Sequence, residues 1–364
     1  MMNTTNESIS QIDYQQVIIN ILYMFTGGSV VFGNICIIGT ILLFRHLRCR
    51  KELVMVSGQC LGDLLYGFGF LVGGGRRLYL FLNHMEKVPV SPWHCMSAEV
   101  ATFFYLLGPQ AGALMNLFVG MDRFMAVTFL NYYSKLNSTY VVGAIGAVYL
   151  YASISYGVGF VLSYFMPREK TVVLQCLSTW ASTPSYAVYY TALITTAEVT
   201  GIVLYVIVML ILKYRTMTSH PSLQHAHHKR QTKITKTISL VVLSTFLFYV
   251  IPWLTHSALN ALQVKLGKAG LISPLLWVLI QSNNVFNVII YLWKLQEVRK
   301  ALWRVLSCSL CRLSVEIVPI NSVSQKSQSR INHSHAGCST VNSTRRTTNG
   351  TNCTHVKNIV VSMH

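Results

Sequence analysis

The chain has 364 residues, of which 52% are hydrophobic and only 11% charged, and its mean hydropathy is +0.46. That composition excludes an ordinary soluble domain and marks an integral membrane protein. A formal net charge of +18 would suggest nucleic acid in a soluble chain, so the placement of the basic residues has to decide between the two readings.

Seven apolar runs reach spanning length: Val17–Phe44, Leu53–Leu82, Cys95–Val127, Tyr140–Phe165, Tyr186–Leu212, Ile234–Leu262 and Leu271–Trp293. Each is expected to be helical, because a lone strand cannot satisfy its backbone in lipid. The fold class predicted is therefore all-α, a seven-transmembrane helix bundle over residues 17–293, preceded by an extracellular segment, 1–16. An odd number of crossings puts the two ends on opposite sides. The connections after spans one, three and five hold Arg45, Arg48, Arg50, Lys51, Arg123, Lys135, Lys213, Arg215, Lys229, Arg230, Lys233 and Lys236. The other connections hold only Arg76, Arg77, Lys87, Arg168, Lys170, Lys265 and Lys268, and the segment before span one has no basic residue. The positive-inside rule then sets the N-terminus outside and the C-terminus in the cytoplasm of a multi-pass plasma-membrane protein. Orientation and attraction to anionic membrane lipid account for most of the positive charge, so nucleic acid is excluded as a partner.

The opening residues are polar and lack a basic region before a short apolar core, so span one is expected to act as its own targeting signal. Asn3 and Asn6 head glycosylation triplets on the outer side. Span one carries Gly33-Asn34 and span two Leu61-Gly62-Asp63. A carboxylate and an amide in hydrocarbon must face the bundle interior. Cys95 and Cys176 are the two cysteines on the oxidising side, and a disulfide between them would pin the second outer loop across the top of helix three. Glu99 lies near the outer end of that span, and Asn116 lies deep within it. Its inner end reads Met121-Asp122-Arg123-Phe124. Arg123 so close to hydrocarbon needs a partner, and Asp122 is the nearest; the plainer reading is that the arginine only marks the cytoplasmic end.

Span five holds Glu198, an acid whose exposure to lipid would be expensive, so it faces a ligand or a helix partner. Tyr205 lies seven residues on, on the same face. The His225-Ala226-His227-His228 run lies in a basic loop and suits only weak adventitious metal binding. Span six reads Phe246 through Pro252 to Trp253, and a proline there kinks the helix into a lever. Span seven adds Asn283, Asn284 and Asn287 to the polar set of Asn34, Asp63 and Asn116; the cluster is either interhelical adhesion or a hydrated switch with a bound cation near Asp63. Residues 294–307 read as an amphipathic helix on the inner membrane face, with Leu295, Val298 and Leu302 at helical spacing. Cys308 and Cys311 follow as palmitoylation candidates. Residues 308–364 are rich in Ser, Thr and Asn and are expected to be a disordered cytoplasmic tail. Its hydroxyls, Ser322 to Thr344 among them, are either plain polar tail or phosphorylation sites for a receptor kinase and arrestin.

Taken in order, Gly33-Asn34, Leu61 to Asp63, Cys95 with Cys176, Asp122-Arg123, the span-six proline and Asn287 to Tyr291 resemble the rhodopsin-like G-protein-coupled receptors. Within them, Met121 to Val127 followed by Tyr132-Tyr133 is similar to the nematode serpentine chemoreceptors of the srsx class. The resemblance implies a receptor, not an enzyme, carrying an extracellular signal to a heterotrimeric G protein. Arg123 would contact that G protein once span six swings out, with Asp122 holding it at rest and Tyr205 and Tyr291 turning inward on activation. Asp63, Asn34, Asn283 and Asn287 would match the family's sodium and water network, and no other cofactor is implied.

Against the family pattern stand Phe124 for a tyrosine, Val288 for a proline, Val250 for a tryptophan with Trp253 just beyond, and Gly112 for a serine. Cys95 also lies three residues further from the arginine than usual. A monoamine ligand is not expected, because Tyr105 or a neighbour occupies the position of the aminergic aspartate, and retinal is excluded because Lys294 is at the wrong end of span seven. Glu99, Tyr105, Glu198, Trp253, His256, Trp277 and Gln281 would line a mainly aromatic cavity for an odorant, other small molecule or peptide, although ordinary bundle packing explains the aromatics equally well. Two rival classes are weaker. A transporter would show matched broken helices in the two halves, and a metalloenzyme would need several ligands converging where only His256 lies within a span. A seven-helix receptor or scaffold without G-protein coupling is the closer alternative.

Overall fold

The computed structural model describes residues 3–85, 88–133, 135–166, 172–174, 176, 182–218, 239–261 and 272–316. Among them are seven helices long and apolar enough to cross a membrane: Tyr14–Leu43, Lys51–Leu82, Val100–Thr128, Ser138–Tyr164, Pro184–Tyr214, Ser239–Leu259 and Ile272–Lys294. The first belongs to a longer helix, Asn3–Leu43, so that Asn3 and Asn6 stand on its backbone before the apolar stretch. A two-stranded antiparallel ribbon joins β1 (Pro89–Val90) to β2 (Val172–Val173), with Pro89 opposite Val173.

The third span begins later than the apolar run predicts. Ser91 caps a separate helix, Pro92–Ala98, by accepting from the His94 amide at 3.3 Å, with proline in its first turn. Glu99 then takes an extended backbone, φ −102° and ψ 96°, before Val100–Thr128 runs through Pro109 without interruption. Cys95 therefore lies on its own short helix, and the break at Glu99 absorbs the extra length between this cysteine and Arg123.

Glycines let the first three spans approach closely. A Cβ on Gly27 would stand 2.7 Å from the Gly67 carbonyl oxygen, and one on Gly108 would stand 2.6 Å from the Tyr66 amide nitrogen. Lipid offers no hydrophobic drive between helices, so backbone approach through small residues is how such a bundle gains dispersion energy. The fourth span, by contrast, turns Leu150, Ile154, Val158 and Val161 outward, as a lipid-facing helix should. The core runs down the middle: Tyr66, Phe70, Tyr105, Tyr249 and Trp253 form one buried cluster, and Ile37, Ile41, Leu53, Val288 and Tyr291 another towards the Arg123 end.

Span six contains a π-helical turn, Phe246–Val250, in which the Ile251 amide donates to the Phe246 carbonyl. The expected proline kink at Pro252 is thus preceded by a register shift of one residue. Phe246, expected at the hinge core, is 42% exposed, while Phe248 stacks on Phe286 of span seven at 4.6 Å. The final helix, Gln296–Glu316, starts two residues later than the amphipathic reading and continues past Cys308 and Cys311, whose side chains lie outside the described residues. Its first turns bury Val298 and Ala301, and Glu297 pairs with Arg50 at the start of span two. Residues 219–238 of the third inner connection with its histidine run, the sequence Arg168–Lys170, Lys265, Lys268 and the tail hydroxyls from Ser322 onwards also lie outside the described residues.

Candidate functional site

At one end of the bundle the last turns of the third span carry Asp122 and Arg123, both buried. The Arg123 guanidinium donates to Asp122 Oδ2 at 2.7 Å. Tyr133, from the short helix Leu130–Tyr133, donates its hydroxyl to the same oxygen at 3.0 Å and lies 3.4 Å from the guanidinium. Lys51 in turn sits over the Tyr133 ring, 3.4 Å from its centroid, and donates to the Tyr133 carbonyl at 3.1 Å. Tyr133 was read from the sequence only as part of a family signature. Its part here follows from a tight turn that folds the residues after Arg123 back under the third span. Tyr205 and Tyr291 are both buried. Among the described residues no hydrogen bond reaches the Tyr205 hydroxyl.

Midway along the bundle lies a cavity of about 20 Å³, lined by Gln59, Asp63, Asn116, Glu198, Tyr249, Asn283, Asn284 and Asn287 among others. Asn287 donates to Asp63 at 3.3 Å. Asn116 donates to both Glu198 oxygens, at 3.0 and 3.1 Å, and Ser244 donates to Asn283 at 3.2 Å. Glu198 is thus a helix partner beside Asp63, at a depth below the aromatic cavity it was expected to line. Gln281, also expected there, is fully buried and accepts from Asn284 at 3.4 Å. Asn34 does not line this cavity; its amide donates to the Val30 carbonyl one turn back in its own helix, at 2.9 Å.

The donor set fits a small hard cation. Two carboxylates line the space, and the buried oxygens of Gln59 and Asn287 have no hydrogen-bond partner among the described residues. Carboxylate and amide oxygens of this kind suit a small hard cation, although Asn116 and Asn287 already donate to the two carboxylates, and the volume holds an ion or one to two waters. Gly112, in place of a serine, has nothing within 4 Å of where its Cβ would be, so it gives the cavity room in exchange for a hydroxyl.

The other end carries the Cys95–Cys176 disulfide. Beneath it is a second cavity of about 30 Å³, lined by Tyr66, Tyr105, Tyr190, Trp253 and Trp277 with Ser182 and Thr191. Trp253 stacks parallel to Tyr249, meets Trp277 edge-on at 5.7 Å and donates to Thr195 at 3.2 Å. His256 packs edge-on against Trp277 at 5.3 Å, one layer behind the lining. Glu99 stands outside the lining because it pairs with Arg76, which also donates to the Leu174 carbonyl at 3.0 Å. Burial pushes the Glu99 carboxyl above the usual carboxylate range, against the opposing pull of Arg76. The adjacent Arg77 lies over the rings of Tyr105 and Tyr23. These arginines were read only as topology markers. Their signal in the sequence was a pair of charges held at the end of a run that has otherwise no cation.

Seven crossing helices, a carboxylate–arginine lock at one end of the third and a disulfide-tethered connection at the other define a multi-pass membrane receptor of the rhodopsin-like G-protein-coupled class. The family model for the serpentine type 7TM GPCR chemoreceptor Srsx matches residues 29–306, and the chain belongs to that family. No curated protein matches the chain significantly.

Proposed function

We propose that the chain binds an extracellular ligand, an odorant or other small molecule or peptide, in the aromatic cavity and passes the event to a heterotrimeric G protein at the Arg123 end. The N-terminus and the disulfide then lie outside the plasma membrane, and the C-terminus in the cytoplasm. The distribution of basic residues and the oxidised Cys95–Cys176 pair support this orientation.

The observation that carries the reading is the buried Asp122–Arg123–Tyr133 triad. An arginine held by a carboxylate at the mouth of the bundle has a released state in which it is free to meet a partner. Span six supplies the means of release. The π turn and Pro252 leave its backbone short of ladder bonds at that level, and Trp253 connects it to the cavity. An ion between Asp63, Glu198 and Asn287 would hold spans two, five and seven together in the resting arrangement. Glycans on Asn3 and Asn6, lipid on Cys308 and Cys311, and phosphorylation of the tail by a receptor kinase, recruiting arrestin, belong to the same reading.

Arg123→Ala tests it. Nucleotide exchange on the G protein should be lost while surface expression stays intact, and Asp122→Asn combined with Arg123→Ala removes any effect of an uncompensated Asp122. Unchanged coupling in both variants would count against the proposal.

A further inference from the structure

We infer that spans five and six share a two-rung ladder whose upper rung is made and whose lower rung, from the Tyr249 hydroxyl to Glu198, closes as span six bends. Tyr249 is then the positioning residue that carries the state of the aromatic cavity down to spans three and five. This deepens the proposed function and rests on its movable span six. The upper rung is the bond from the Trp253 indole to Thr195, at 3.2 Å. Consecutive crossings run in opposite directions, so one turn towards the Arg123 end leads from Trp253 to Tyr249 on span six and from Thr195 to Glu198 on span five. Residues three or four apart share a helix face. The register set by the upper rung therefore turns Tyr249 and Glu198 towards each other, and both line the mid-bundle cavity.

Tyr249 supplies the second observation. It is 6% exposed, and its hydroxyl has no hydrogen-bond partner among the described residues. A buried donor without a protein acceptor favours any arrangement that provides one. Glu198 can be that acceptor. Asn116 donates to each of its oxygens, and an ionised carboxylate has about four lone-pair sites. The cavity the two residues share, about 20 Å³, is on the scale of one to two waters, so a small bend is enough. Tyr249 also lies inside the π turn Phe246–Val250, and a change in that turn redirects its phenol. Its ring stacks parallel on Trp253, with centroids 6.1 Å apart, and Trp253 lines the aromatic cavity. One stacked pair thus reaches from the upper cavity to the lower.

The test uses the full chain in lipid nanodiscs with 5-fluorotryptophan throughout, so that the Trp253 fluorine, assigned by its loss in Trp253→Phe, reports on the ladder. Wild type should show two Trp253 resonances, the major one with the lower rung open. Tyr249→Phe should shrink the minor one at least roughly fivefold, the worth of a single hydrogen bond. Glu198→Leu should do the same, and the two together should do no more than either alone. Tyr249→Phe should lower the melting temperature less than Thr195→Val, which breaks the rung already made. A single Trp253 resonance, a minor resonance that survives Tyr249→Phe or Glu198→Leu, or a melting temperature lowered as much by Tyr249→Phe as by Thr195→Val would each overturn the inference. So would a Tyr249→Phe chain that fails to fold, because the hydroxyl would then be needed with the rung open. Neither ligand nor G protein is present, so resonances that follow the rung in a chain that drives no nucleotide exchange leave the ladder standing and remove the receptor reading. Conversely, nucleotide exchange that Tyr249→Phe leaves unchanged removes Tyr249 from the signal and leaves the receptor reading intact.

Discussion

Tyr133 donates to the same Asp122 oxygen that receives the Arg123 guanidinium. The contact is therefore shared three ways, and the phenol holds the carboxylate in place for the arginine. Tyr133→Phe keeps the ring under Lys51 but removes one buried bond to a charged group, worth about 1.5–3 kcal/mol. Basal nucleotide exchange should rise by roughly tenfold or more, measured without ligand in membranes of matched receptor content; a basal rate equal to wild type would separate Tyr133 from the lock.

Glu198 and Asn116 tie span five to span three inside the bundle. Glu198→Leu leaves the half-buried Asn116 amide without its acceptor, and the purified receptor should lose about 1–3 kcal/mol of stability. Glu198→Gln keeps an acceptor and should lose clearly less. Thermal melting in detergent distinguishes the two, and equal melting points would show that the pair contributes only packing.

Sodium should raise the melting temperature of wild type, since a ligand that binds only the folded state stabilises it by mass action. In Asp63→Asn that increase should vanish, and in Glu198→Gln it should shrink. Potassium or choline chloride at the same ionic strength is the control; a shift that is equal in all three salts would be general screening and not a site.

Pro252→Ala restores an amide donor beside the π turn. Span six should stiffen, with ligand affinity little changed and ligand-stimulated exchange reduced several-fold. Proline inside a helix costs up to about 3 kcal/mol, so the variant should also melt at a higher temperature. A variant that signals fully would move the hinge elsewhere.

Cys95→Ser frees the second outer connection from the short helix Pro92–Ala98. The closed loop spans 81 residues, and its release should lower stability by about 2–5 kcal/mol. Surface expression reports the loss, and alkylation followed by mass spectrometry checks the bridge in wild type, where both cysteines should react only after reduction.

The seven crossings were legible because apolar length is a property of local sequence, and spans two and seven end within a residue of where the runs end. The break at Glu99 left a sign, Ser91 followed by Pro92, that continuity of the apolar run concealed. Asp122 with Arg123 could be read as a pair because the two are adjacent. Tyr133 could not, since its place depends on how the chain turns ten residues later. Glu198 plainly needed a partner, but the choice of Asn116 depends on how closely spans three and five approach, where a Cβ on Gly120 would stand 3.3 Å from the Gly201 carbonyl. The π turn has no composition that marks it, and the pairing of Arg76 with Glu99 joins elements that no periodicity relates.

The glycine contacts among the first three crossings also bear on how the protein is made. Gly27 against Gly67 and Gly108 against Tyr66 lie entirely in the first third of the chain, so a tight three-helix nucleus can assemble at the translocon while the later helices are still in the ribosome. A bulky side chain at Gly67 or Gly108 should therefore act during biogenesis, diverting nascent chains to degradation in the endoplasmic reticulum before any mature receptor exists to be inactivated.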